Sequence, residues 1–289
     1  MKNVEILQAV PQQAWGWPGI VNFILGGAGT GFYLFSFVVM VLEEGAFAMS
    51  KQIPYGLIAP ILVALGFLAL TTDAGHPLRG FYLFRNLRWA WLSRETFFFS
   101  IFVPVAILDW VLPSLYFRIL SVATALALMI SQGLILYQIR AITIWNRPIM
   151  ALLFISSAFA SGGGVVLLIG GLTRSRLSQS TIVLEMIALS ANLVIWLVYL
   201  YWFRSTAFWE ATEKLRRPFG LIITVGLGHI LPLVVLFLLA VWAGSEARGP
   251  FLIETVSSLA IFVGVIVQKK NIVLGASHMK VMIIRTSND

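Results

Sequence analysis

Apolar positions in this chain do not alternate with polar ones as in a water-soluble fold; they run on in long stretches. Eight such stretches cover about 18–42, 53–72, 96–112, 114–139, 149–171, 180–203, 219–243 and 250–267. Most reach the roughly 20 residues that cross a bilayer as an α-helix, and they are too long for the strands of a membrane barrel. The pattern predicts an all-α integral membrane fold of eight transmembrane helices in two four-helix bundles. Residues 18–139 form the first bundle and include a polar connection at 73–95; residues 149–267 form the second. The third and fourth runs are parted by little more than Pro113, which demands a tight hairpin. Residues 1–17 read as an interfacial segment anchored by Trp15 and Trp17, and 268–289 as a basic tail. No cleavable signal is expected, because the first apolar run is about 25 residues long and follows a polar and aromatic preface.

Two clusters of small residues stand out, Phe23–Gly31 in the first run and Phe159–Gly164 in the fifth. Small residues let membrane helices approach closely, and the recurrence four runs apart is a faint internal repeat.

Composition narrows the class further. Charged residues make up 11% of the 289, against roughly 25% in soluble domains, and hydrophobic residues 59%. With a mean hydropathy of +0.92 this excludes a soluble enzyme, a disordered chain and a disulfide-stapled domain. No cysteine is present, so the chain cannot ligate an iron–sulfur cluster or a thiolate zinc site. Of His76, His229 and His278, only His229 lies deep in an apolar run, so no bis-histidine haem is expected. No metal-ligand spacing appears either.

With eight spans both termini share a side, and fifteen of the 20 basic residues fall there. The positive-inside rule makes that side cytoplasmic, in a multi-pass protein of a prokaryotic cytoplasmic membrane. A basic face that docks a partner subunit is the rival explanation. The net charge of +8 follows from membrane topology and suggests no nucleic acid. Lys269–Lys270 and the run Glu213–Pro218 read as topology signals or lipid contacts.

The connection at 73–95 gathers the chemistry. It opens Asp73-Ala-Gly-His76-Pro77-Leu-Arg79 and closes Trp91-Leu-Ser-Arg-Glu95, with Phe81, Tyr82, Phe84 and Trp89 between. Its plain reading is a solvated loop with an aromatic belt, lying along the interface as a short amphipathic helix. The alternative is a quinone site: a carboxylate, an imidazole and a guanidinium beside aromatic rings suit a head group whose redox change moves two protons. Glu95, opening an apolar run, equally suits the positive end of a helix dipole.

These residues carry a resemblance. Asp73, Gly75, Pro77, Arg79, Ser93 and Glu95 are similar in type and place to a motif of the NrfD/PsrC/DmsC-like anchors, the eight-span membrane subunits of polysulfide and dimethyl sulfoxide reductases. The resemblance implies a quinone/quinol-reactive anchor, with menaquinone or ubiquinone as substrate. It also implies a four-cluster iron–sulfur subunit and a molybdenum- or tungsten-pterin catalytic subunit as partners. Chemistry at the quinone site would fall to Asp73, Arg79 and Glu95, and quinone contact to Asn22, His76, Arg79 and Trp91. Asp73 stands where the dimethyl sulfoxide reductase branch has His. Two other readings compete: a secondary transporter of two four-span halves, and a structural anchor without a quinone site. A transporter should carry polar or broken spans in both halves, whereas the polar cluster here is in the first.

Outside the connection, His229 reads mainly as a packing histidine, with a proton-path role as the alternative. Glu185 and Glu254, near the starts of the sixth and eighth runs on the opposite side, read as carboxylates at helix N-termini, with the opening of a proton path as the alternative. Glu43 and Glu44 read as solvated.

Overall fold

The computed structural model describes residues 2–7, 12, 15–43, 54–72, 77–174, 177–203, 205–242, 251–276 and 282–286. Among the described residues, eight helices are long and apolar enough to cross a membrane: Trp17–Glu43, Tyr55–Thr72, Trp91–Val111, Leu115–Gln138, Ile149–Thr173, Gln179–Tyr201, Pro218–Val241 and Leu252–Gly275. They are called spans one to eight. Outward-facing rows such as Leu57, Ile61, Leu65 and Leu68 of span two are exposed, as expected of surface that meets lipid tails.

Local chemistry sets the span ends. The hairpin between spans three and four turns at Leu112–Ser114, where the Ser114 hydroxyl accepts from the Phe117 backbone N–H. Ser178 caps span six through the Thr181 N–H in the same way. Span five ends on Arg174 in the left-handed conformation, φ 54°, its N–H bonded to the Gly170 carbonyl. Span three begins at Trp91, earlier than hydropathy indicates, and carries Ser93 and Glu95 into the buried interior. Span eight runs on to Gly275, past the apolar run that ends near 267.

Spans one and five are the most enclosed, each with 67% of its most apolar 18-residue stretch buried. The two glycine clusters are the reason. A Cβ on Gly31 would stand 1.9 Å from the Ala158 carbonyl oxygen, and one on Gly162 2.1 Å from the Gly31 carbonyl carbon. Only glycine permits this crossing. The clusters therefore face each other and join the first four spans to the last four. Spans seven and eight cross similarly at Gly228 and Gly264.

Span seven is not a plain α-helix. It winds as a π-helix over Ile222–Ile230, just before Pro232, whose missing N–H and bulky ring disrupt the α-helical ladder.

The chain ends depart from expectation. Strand β1 (Lys2–Leu7) pairs antiparallel with β2 (Met282–Thr286), Val4 opposite Ile284. The terminal segments are thus partly one small sheet, and the pairing puts both ends on one side, as the even span count requires. Trp15 turns inward and stacks on Phe23 with ring centroids 5.3 Å apart, while Trp17 is exposed as an anchor should be.

Candidate functional site

The polar connection after span two folds along the molecule's surface. Pro77–Asn86 forms a 3-10 helix, and Tyr82, Phe84 and Trp89 are exposed. Asp73 and His76 lie outside the described residues; Arg79 is placed in the 3-10 helix by its backbone alone. Arg94 clamps the end of this connection: its guanidinium donates to the Leu87 and Arg88 carbonyls at 2.8 Å and lies 4.0 Å from the Trp91 ring centroid. One face of Trp91 is therefore already covered by a cation. The connection is also held from span four, whose Gln138 amide donates to the Trp89 carbonyl at 2.9 Å.

One turn beyond Trp91, the Glu95 side chain is fully buried. Its Oε1 accepts from the Asn22 Nδ2 of span one at 3.0 Å and from the Gln132 Nε2 of span four at 3.1 Å. The Gln132 Nε2 also lies 3.4 Å from the Asn22 carbonyl. These amide donors from neighbouring spans, and not the helix's own N-terminus, hold the carboxyl group. Glu95 Oε2, Asn22 Oδ1 and Ser93 Oγ have no hydrogen-bond partner among the described residues. Buried polar atoms are normally satisfied, so the orphaned oxygens of the bonded pair Glu95 and Asn22 mark capacity for a polar ligand. Asn22 Oδ1 accepts, and Glu95 Oε2 accepts when ionised and donates when protonated, so together they suit a hydroxyl group such as that of a quinol.

Lys269 stands beside this cluster. It was expected at the surface; instead it is buried and donates to the Phe23 carbonyl at 2.5 Å, with the Phe154 ring centroid 5.4 Å away. A Cβ on Gly27 would lie 2.7 Å from the Lys269 Nζ and 3.5 Å from the Gln132 Oε1, so the glycine makes room for both. The sequence does not single out Gln132, and it marks Lys269 only as a topology signal or lipid contact. A glutamine within an apolar run was the available signal for the first; the second had none, because its run of hydropathy had already ended. Lys270, by contrast, stays near the surface, 5.5 Å from the Trp17 ring centroid.

A second buried group lies toward the opposite membrane face. Asp109 of span three accepts from the Tyr33 hydroxyl at 2.7 Å and sits 3.5 Å from the Arg118 Nε of span four. Arg118 is therefore not a loop charge, although the tally of basic residues treats it as one.

Buried polar groups also occur in the second half, so their confinement to the first does not hold. The His229 ring lies with Nδ1 2.6 Å from the Thr224 carbonyl and Nε2 2.7 Å from the Asn192 Oδ1, while Asn192 donates to Ser156 at 2.9 Å. The π-helical winding brings the Thr224 carbonyl within reach of the ring five residues later. Glu185 lies past the first turn of span six, and neither carboxyl oxygen has a hydrogen-bond partner among the described residues. Stabilisation by a helix N-terminus does not explain it.

The fold and its buried groups define a polytopic membrane subunit with a polar cluster near the face that carries the chain termini. A family model described as Polysulphide reductase, NrfD, matches residues 6–116, from the first span through the Glu95 region to the start of span four. That match supports an NrfD-like membrane subunit, of the kind found in quinone-linked reductase complexes beside iron–sulfur and molybdopterin subunits. No curated protein matches the chain.

Proposed function

We propose that this chain is the membrane anchor and quinone-reactive subunit of a pterin-dependent oxidoreductase. It exchanges electrons between membrane quinone and a four-cluster iron–sulfur subunit docked on the face that carries the termini. The observation that carries the reading is the buried Glu95 carboxyl, held by Asn22 and Gln132 beside Lys269 and next to the interfacial connection. Reducing a quinone takes two electrons from the partner and two protons; oxidising the quinol returns both. Arg79 supplies hydrogen-bond donors to the ring oxygens, Asn22 contacts the ring through its unpartnered Oδ1, which accepts from a quinol hydroxyl, and Glu95 exchanges protons there. Asp73 and His76 link the site to water, and Trp91, clamped by Arg94, walls it. The docking face is cytoplasmic by the count of basic residues.

Glu95→Gln tests this in the intact complex. Glutamine retains an acceptor oxygen for both amides but cannot carry the proton. Quinone-linked turnover is expected to fall about 100-fold or more, the usual worth of a positioned acid–base group, while dye-linked activity of the soluble subunits persists. Arg79→Ala should behave alike. Undiminished quinone-linked turnover in both variants would remove the site assignment.

A further inference from the structure

We propose that span six carries a proton route into the membrane interior from the face opposite the termini, with the Glu185 carboxyl as its internal proton site. The route is separate from the quinone cluster and does not depend on that assignment.

Its mouth is at the end of span one. Exposed Glu43 hydrogen-bonds the Ser178 hydroxyl at the start of span six, and Ser178 Oγ lies 2.8 Å from Thr181 Oγ1. Span one starts on the terminal side and span six on the other, so this contact marks the opposite membrane face. Thr181 is buried, and Glu185 follows four residues later on the same face of the helix. Six residues past Gln179, the carboxyl lies roughly 9 Å into the span at 1.5 Å per residue.

The space around Glu185 is built for it. A Cβ on Gly163 would stand 1.7 Å from its Oε2 and 2.7 Å from the Phe35 ring, so the carboxyl occupies a notch that exists only because residue 163 is glycine. A fully buried carboxyl with two orphaned oxygens contributes nothing to packing that a leucine would not supply better. Its distinctive capacity is to take up and release a proton. One carboxyl and two hydroxyls are too few for the oxygen shell of a metal cation. Among the described residues no group of three or more His, Cys, Asp and Glu forms such a shell.

Two turns deeper on the same face lies Asn192, joined to His229 of span seven and Ser156 of span five. An imidazole can accept a proton at one ring nitrogen and release it at the other, which gives the route a second station. The titratable groups along this path are thus Glu43, Glu185 and His229, with Arg174 at the same membrane face as the mouth.

The experiment uses the full chain in lipid nanodiscs and follows the carboxyl stretch by infrared difference spectroscopy against Glu185→Gln. On transfer to heavy water the Glu185 band should shift. Thr181→Val should slow the exchange about tenfold, a barrier increase of about 1.36 kcal/mol, and Thr181→Ser should restore it. Because the chain has no cysteine, Ser178→Cys offers a unique thiol; capping it with a charged thiol reagent should slow exchange, whereas capping Tyr82→Cys on the other face should not. The proposal is overturned if no exchanging band is lost in Glu185→Gln, if Thr181→Val exchanges at the wild-type rate, or if only the Tyr82→Cys cap slows exchange.

Discussion

Asp109 and Arg118 form a buried ion pair whose worth can be worked out and measured. Both side chains are buried and lie 3.5 Å apart, and Tyr33 completes the group through its bond to Asp109. At an effective dielectric of about 20, Coulomb's law gives an attraction of about 5 kcal/mol at that separation. The desolvation of both ions offsets most of this, so the intact pair adds little net stability. Removing one partner is different, because the other remains buried without its counter-charge. Arg118→Met or Asp109→Leu should each cost about 3–5 kcal/mol. The double replacement removes both charges and leaves mainly the Tyr33 hydroxyl without its acceptor, a loss of about 1–3 kcal/mol. The double variant should therefore be more stable than either single one, with a coupling energy of several kcal/mol. Reversible unfolding in mixed detergent and dodecyl sulfate micelles, followed by the circular dichroism of the helices, measures all four corners of the cycle. If the two single losses simply add in the double variant, the pair does not act as a unit and the reasoning fails.

Three further outcomes follow from the fold. Gly162→Leu forces side-chain atoms into the span-one backbone and should lower stability by more than the roughly 1–3 kcal/mol typical of overpacking; the same micelle titration reads it, and a near-neutral variant would contradict the crossing. The purified chain should show no b-type haem band in a reduced-minus-oxidised spectrum, since it lacks cysteine and has one histidine at membrane depth. A reporter fused after Asp289 should fluoresce as a cytoplasmic green protein; alkaline phosphatase activity from the same position would instead reverse the assigned orientation.

Much of this architecture is legible along the chain because crossing a membrane is a local property. A window of about 20 apolar residues decides insertion by its summed transfer energy, so eight runs predict eight spans, although span three starts earlier and span eight ends later than the runs indicate. The connection after span two was visible for a related reason: glycine, proline and charge interrupt such runs wherever they fall. Single polar residues inside a run barely change its sum, and their fate depends on which helix face meets which neighbour. Glu95 reads as a helix-opening carboxylate until Asn22 and Gln132 arrive from spans one and four. Lys269 reads as a surface charge until span eight continues as helix to Gly275 and turns it toward Phe23. The two glycine clusters look like a repeat in one dimension and prove to be the two sides of one helix crossing. Strands β1 and β2 are short segments near opposite ends of the chain, and neither has reason to extend without the other. Hydropathy assigns the protein to the membrane, whereas the partners of its buried charges are set by contacts between residues far apart in the chain, which no local window contains.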